Sequence, residues 1–252
     1  MIMTPKTRRR NPLSLLIACL VLVPLVLAPG CGHPAQETAA HKIADVLPSV
    51  LGPAAHYDVQ VDGDPFALAR GRAQAVHIQG LAVQLAPSLT LDTLDAVAHD
   101  VSFSRETRRL EHIGATDFEA TLGQDNLAAY LARTKPLLPN LVVTLGESEV
   151  QARVPVSFLG LQTTADLTGT LSPSATESGK LNFETDGAHL GIVPLPSALV
   201  NLALDQVNPL VDLTHLRVPL TVAHSRIVHS RLSLDGTADL NGLVKPQLGT
   251  NK

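Results

Sequence analysis

The sequence predicts an α+β fold in which a long, curved antiparallel β-sheet wraps around amphipathic and apolar helices, after an N-terminal signal segment. Apolar residues recur with a period of two over much of the chain from Tyr57 onward, which is typical of half-buried strands. Three shorter stretches instead carry apolar residues at the period of a helix. Hydrophobic residues make up 45% of the chain but aromatic residues only 3%, so the core is expected to be aliphatic.

The first 31 residues have the layout of a bacterial secretory signal. Four basic residues between positions 6 and 10 precede a nearly continuous apolar run at residues 13–28, and Gly30-Cys31 follows. The run is shorter than the ~20 residues that a membrane-spanning helix needs. We predict a signal peptide whose removal leaves Cys31 as a lipid-bearing first residue. A plainly cleaved signal and an uncleaved anchor are the alternatives, and all three place the rest of the chain in the cell envelope, on the periplasmic or extracytoplasmic side.

After the signal, residues 32–42 are expected to form a tether, residues 43–242 one folded domain and residues 243–252 a tail. Both cysteines, Cys19 and Cys31, lie in the signal segment, so the domain has no disulfide and no cysteine-based metal site. The chain carries 23 acids and 19 bases, and four of the bases lie in the signal segment. An acidic domain excludes nucleic acid as a partner and disfavours attraction to an anionic membrane surface. Any lipid contact must therefore come from apolar side chains.

The first half of the domain is predicted to be one helix followed by long strands. The helix has a continuous apolar stripe and should kink or restart at Pro48; the stripe consists of Ile43, Val46, Leu47, Val50, Leu51 and Ala54. Strands follow from Tyr57 to about Phe103. Val76 and Ile78 share one face of a strand, whereas Val83 lies in the opposite phase, so a bulge or bend is expected at Gly80 between them.

The second half is predicted to contain two more helices among strands. A strand at residues 117–122 leads into a helix from Asp125, with Leu127, Tyr130 and Leu131 on one side. The last helix should begin with Ser197 as its N-cap. It is apolar around most of its circumference except for a narrow stripe formed by Asn201, Asp205 and Asn208. We expect this helix to be largely buried, either in an ordinary core or with part of its surface lining an apolar cleft.

No pattern in the sequence predicts catalysis, a cofactor or a metal. Nucleophile elbows, phosphate-binding glycine loops and zinc-binding His-Glu-x-x-His motifs are absent from the sequence. His224 and His229 have opposite strand parity and flank a predicted turn, so they are expected at the surface or at a hairpin end. Asp62 and Asp64 flank Gly63 in a predicted tight turn, and no calcium-loop spacing follows them.

Five segments occur in a characteristic order along the chain: YDVQVDGDPF (57–66), ARGRAQAVHI (69–78), DNLAAYL (125–131), LPSAL (195–199) and LRVPLTV (216–222). Together they resemble the LmeA-like family of bacterial envelope phospholipid-binding proteins. The first two resemble the family's valine-rich strand with its Gly-x-Pro-Phe turn and the strand that follows. The others resemble its mid-chain helix, its closing helix and its closing strand. The resemblance covers about residues 43–240.

The resemblance implies a fold similar to tubular lipid-binding modules, with an apolar cavity for acyl chains and no catalytic residues. We therefore expect an exported, lipid-anchored protein that is not an enzyme and holds a phospholipid or similar amphiphile. The alternatives are a structural or interaction lipoprotein with a fully packed core, and an enzyme acting on envelope lipids or glycans, for which the sequence offers no polar constellation. The predicted lipid-lining residues come from the last two helices: Leu127, Tyr130, Leu131, Leu199, Leu202, Ala203 and Val207.

Overall fold

A computed structural model describes residues 34–104, 109–138, 140–158 and 161–241. The predicted signal peptide, its Cys31 and the predicted tail lie outside the described residues. The described helices are α1 (Pro34–Val50), α2 (Pro65–Ala69), α3 (Gln124–Thr134) and α4 (Ser197–Val207). The described strands are β1 (His56–Asp62), β2 (Arg72–Ala86), β3 (Leu89–Ser104), β4 (Arg109–His112), β5 (Thr116–Gly123), β6 (Val142–Leu145), β7 (Val150–Phe158), β8 (Leu161–Pro173), β9 (Lys180–Leu190), β10 (Val193–Pro194), β11 (Val211–Asp212), β12 (Leu220–Val228) and β13 (Arg231–Ala238).

The predicted α+β class with antiparallel strands is confirmed, but the strands form two sheets. In sheet A the order is β1-β2-β3-β5-β13-β12, with β4 paired to the end of β3. In sheet B the order is β10-β9-β8-β7-β6, with β11 also paired to β9. The chain leaves sheet A after β5 and returns to it with β12 and β13. A period-two pattern identifies strands but not their partners, which is why the sequence did not separate the two sheets.

The two sheets share one aliphatic core. Strand β12, at the edge of sheet A, lies against β8 of sheet B, and the Ser225 hydroxyl donates a hydrogen bond to the Leu171 carbonyl at 2.6 Å. The largest fully buried side chains include Leu122 and Leu232 in sheet A and Leu181 and Phe183 in sheet B. None of the helices within the described ranges is both long and apolar enough to cross a membrane.

Helix α1 differs from its prediction at both ends. It begins at Pro34, inside the segment predicted as a tether, and packs against β1. It ends at Val50 rather than near Ala54, and it continues through Pro48 without restarting. Leu47 is buried, whereas Val46, in the predicted apolar stripe, is 54% exposed. Pro48 lies in the last turn and cannot bond to the preceding turn, which favours an end to the helix two residues later.

The predicted change of face in β2 occurs, but at Ala82 rather than at Gly80. Val76, Ile78 and Gly80 all face the core, and the strand keeps its register with β3 through this region. Leu81 and Ala82 are both exposed, and Ala82 has a φ of 51°. This single left-handed residue turns Val83 back into the core, where it is fully buried.

Helix α4 lies where the sequence predicts it, but two expectations about it are wrong. Its N-cap is Pro196, with Ser197 as the first helical residue, and no side chain caps it. The helix is not largely buried: Ala203 and Val207 are buried, whereas Leu202 is 41% exposed. The helix packs on one face only, against β7 and β9. Leucines on its free face therefore contact solvent.

Candidate functional site

An apolar cavity lies against the inner face of sheet A. Strands β2, β3, β5, β12 and β13 all contribute to its wall, and their large apolar side chains there include Ile78, Leu91, Leu94, Phe118, Leu122 and Leu234. Val50 and Leu51 close it at the end of α1. Five residues of the segment 210–218, which we call the covering segment, lie across it; they are Val211, Leu213, Leu216, Arg217 and Val218.

Small residues opposite large ones create the free space. Strand β5 buries every second residue, so Thr116, Phe118, Ala120 and Leu122 all face inward. In the register with β3, Ala96 pairs with Phe118 and Leu94 pairs with Ala120. In these two pairs a large side chain on one strand has an alanine beside it on the next. Alanine side chains cannot fill the layer between a sheet and its cover, so a gap remains above them.

The covering segment is held at its first half. The Leu210 amide donates to the Leu181 carbonyl at 2.9 Å, and the Leu213 amide donates to the Gly179 carbonyl at 2.8 Å. Tyr130 of α3 also binds this segment. Its hydroxyl accepts a hydrogen bond from the Asp212 amide at 2.9 Å and donates one to the Asp212 carbonyl at 3.2 Å. Burial raises the pKa of Tyr130, which keeps this hydroxyl protonated.

The carboxylate of Asp212 fixes the next turn of the covering segment. It accepts hydrogen bonds from the Thr214 amide at 2.9 Å and the Thr214 hydroxyl at 2.5 Å. Burial opposes ionisation of this carboxyl, but the two hydrogen bonds together with the nearby Lys180 and His215 outweigh burial and lower the pKa of Asp212. The second half of the segment has fewer contacts of this kind. Arg217 reaches α1 through a long hydrogen bond of 3.4 Å from its Nη1 to the Ser49 carbonyl.

Two polar side chains, Thr116 and Arg217, line the cavity among the described residues. Thr116 is 2% exposed, whereas the Arg217 side chain is exposed. No carboxylate of the described residues forms an ion pair with Arg217. The wall is therefore hydrocarbon with one cation at its exposed part.

The free volume of the cavity is about 60 Å³. This is smaller than the ~150 Å³ of an apolar cavity that accommodates benzene in another protein. An acyl chain can therefore enter only if the cavity widens. The second half of the covering segment and the end of α1 meet through the long hydrogen bond between Arg217 and Ser49, so this boundary is the one that we expect to open.

The LmeA-like phospholipid-binding family matches residues 33–237, which is most of the chain. The chain belongs to this family. The expected family resemblance is thereby confirmed, and the match spans both sheets and all four helices apart from the last residue of β13. Searches of curated proteins and of solved structures found no significant match to the chain.

The seven residues predicted to contact lipid do not line this cavity. Leu127, Tyr130 and Leu131 are buried in α3, and Ala203 and Val207 are buried in α4. Leu199 is half-buried and Leu202 is exposed. Whether they contact a ligand elsewhere stays a prediction. Tyr130 does not line the cavity, but its hydroxyl binds the backbone of the covering segment, which does.

The cavity residues that sequence reasoning missed come from strands and from an irregular segment. The alternation of β5 identifies the inner face, but it does not show that an irregular segment lies across that face. Arg217 stands in the segment that carries the family resemblance, and its position between Leu216 and Val218 gave no indication that it borders a cavity. In the described part of the chain, no group of three or more His, Cys, Asp or Glu side chains could hold a metal ion.

Proposed function

We propose that this protein holds a phospholipid by its acyl chains in the cavity beside sheet A, with the phosphate next to Arg217. The observation that carries the proposal is a hydrocarbon wall with a single cation at its exposed part. The family match supports the same ligand class. Burying several hundred Å² of chain surface at ~25 cal/mol per Å² contributes on the order of 10 kcal/mol before the costs of binding.

Entry of the chains requires the end of α1 to separate from the second half of the covering segment. The hydrogen bond between Arg217 and Ser49 is long, and breaking it frees the guanidinium for a phosphate. The first half of the segment remains attached through Tyr130 and β9. Thr116 and Arg217 supply no paired nucleophile and base, so we propose binding rather than catalysis.

The test is direct loading of the full chain with lipid. The protein is incubated with phosphatidylglycerol vesicles, isolated again by size exclusion, and its bound lipid is extracted and quantified by mass spectrometry. We expect close to one phospholipid per chain. Arg217→Ala should weaken binding several-fold because the phosphate loses its cation. Arg226→Ala is the matched control, since Arg226 forms ion pairs with Glu119 and Asp235 outside the cavity.

The small free volume favours one alternative, a structural or interaction protein whose core is fully packed. That function predicts no bound lipid under the same conditions and equal behaviour of the two arginine variants. A stoichiometric protein partner recovered by cross-linking in the envelope would then support it.

We also propose that the domain works in the bacterial cell envelope, tethered through a lipidated Cys31. The N-terminal basic residues, the apolar run that follows them and Cys31 just after that run support this localisation. Cys31→Ser should leave the protein unprocessed or released, with the domain still folded. Labelling with a fatty-acid probe and membrane fractionation of both forms test it. Equal membrane retention without label would indicate an uncleaved anchor.

A further inference from the structure

The hydroxyl of Thr116 is buried in the cavity wall without a partner. Thr116 is the first residue of β5 and is 2% exposed. Its Oγ1 has no hydrogen-bond partner among the described residues. It is also the one side-chain polar atom of those residues that is both fully buried and unsatisfied. Such a group lowers stability, because the hydroxyl gives up its hydrogen bonds to water and gains none in return.

The register explains why none of the described residues satisfies this hydroxyl. Alternation along β5 turns Thr116 inward together with Phe118 and Ala120. Its neighbours on the two adjacent strands are Ala98 and Ala238, and an alanine side chain has no polar atom. A valine would have nearly the same shape and no hydroxyl to bury. The hydroxyl therefore remains available for a hydrogen bond to a molecule in the cavity, which Thr116 lines.

The geometry of the wall indicates which part of a phospholipid meets Thr116. Arg217 is exposed and precedes Leu220 by three residues. Leu220 pairs with Ala238 and Ala238 pairs with Thr116, so Thr116 lies two strands, or ~10 Å, from Leu220 and deeper in the wall than the exposed Arg217. When the phosphate lies next to Arg217 and the acyl chains lie against the apolar wall, the part of the lipid between phosphate and chains contains the ester linkages. An ester carbonyl accepts a hydrogen bond from a hydroxyl, whereas an ether linkage has no carbonyl.

We infer that the Thr116 hydroxyl donates a hydrogen bond to an ester carbonyl of the bound phospholipid, so that the cavity prefers ester-linked over ether-linked chains. This inference rests on the proposed function. It adds a specificity that hydrocarbon walls and a single cation do not provide, since both lipid classes carry the same chains and the same phosphate.

The test compares two lipids that differ only in the linkage. The full chain is offered vesicles of dipalmitoyl phosphatidylglycerol or of its dihexadecyl ether analogue, and the affinity for each is measured. We expect the ester lipid to bind roughly 2- to 10-fold more tightly, the range of one net hydrogen bond. Thr116→Val should remove this preference by weakening ester binding alone. It should also raise the unfolding midpoint of the lipid-free protein, because no hydroxyl remains unsatisfied.

Thr121→Val is the matched control on the same strand. Thr121 lies on the outer face of β5, where its hydroxyl is 2.7 Å from that of Thr93, so this variant should keep the full preference. Equal binding of the two lipids by the wild type, or an unchanged preference in Thr116→Val, overturns the role of Thr116 while the proposed function stands. Binding of neither lipid overturns both.

Discussion

The two sheets have similar aliphatic inner faces but are covered in different ways. Sheet B is covered by α4, which packs on β7 and β9 and buries Ala203 and Val207 completely. The cavity side of sheet A is covered by the covering segment, residues 210–218, which is irregular apart from the two residues of β11, and by the end of α1. A helix satisfies its own backbone and presents a continuous row of side chains. An irregular segment needs outside partners and leaves gaps above alanines.

The hydrogen bonds that hold α4 and the covering segment in place also differ, because the second half of the covering segment has fewer and longer bonds. The end of α4 is fixed by Asn208, whose side chain accepts from the Phe183 amide at 2.7 Å and donates to the Phe183 carbonyl at 3.1 Å. The covering segment is fixed in its first half by Tyr130 and Asp212, but its second half meets α1 through one bond of 3.4 Å. Regions with few such contacts open at lower free-energy cost. We therefore expect sheet B to supply stability and the cavity side of sheet A to supply binding.

The largest expected effect is on the sheet B side. Phe183→Ala removes a side chain that is 1% exposed in β9, and such truncations cost ~3–5 kcal/mol of unfolding free energy. Urea denaturation of both proteins measures the loss. A loss below ~1 kcal/mol would mean that this region is not closely packed, and the contrast between the sheets would fail.

A smaller loss is expected from overfilling the same region. Ala203→Leu adds volume to a position in α4 that has no exposed surface, and overpacking of this kind costs ~1–3 kcal/mol. Phospholipid binding by the folded variant should remain at the level of the wild type. Denaturation midpoints and lipid loading, measured on the same preparation, check both parts.

The equivalent change in the cavity should give the opposite result. Ala96→Leu places its added atoms in the free space beside Phe118, so the unfolding free energy should change by less than ~1 kcal/mol. Bound phospholipid should fall sharply, because the side chain occupies the volume that the acyl chains need. Full lipid loading with a large loss of stability would indicate ordinary core at this position.

The smallest effect appears only in alkaline solution. Burial raises the pKa of Tyr57 from 10.0 to about 12, and burial also raises the pKa of Tyr130. A raised pKa in the folded state means that stability is intact below pH ~10 and falls as the pH rises towards 12. The chain has two tyrosines and no tryptophan, so tyrosinate absorbance reports on these two residues. Tyr57→Phe and Tyr130→Phe assign each step, and ionisation of either residue at its ordinary pKa would contradict its burial.

Much of the fold could be predicted from the sequence because it depends on local periodicity. The strand at residues 117–122 and the helix from Asp125 follow directly from the periods of two and 3.6. The left-handed residue Ala82 could not be located, because alanine gives no local signal for a positive φ. The end of α1 could not be located either, because the apolar stripe continues in register to Ala54 although the helix ends at Val50, two residues after Pro48.

The candidate site was harder to predict because it depends on space that no side chain fills, and local periodicity does not reveal such space. Periodicity identified Ala203 and Val207 as apolar, and they are buried on the face of α4 that packs against sheet B. Ala96 and Ala120 are also apolar and inward-facing, but they line the cavity together with the covering segment and the end of α1. Distinguishing the two cases requires strand order and the path of residues 210–218, which are long-range features.

The pair Ala96→Leu and Ala203→Leu provides the most direct measurement. Both variants are incubated with phosphatidylglycerol vesicles at a temperature where each is folded, and native mass spectrometry counts the phospholipid bound per chain. We predict one phospholipid on the wild type and on Ala203→Leu, and little or none on Ala96→Leu. Equal occupancy of the two variants, or a wild type that never carries phospholipid, would contradict a binding cavity beside sheet A.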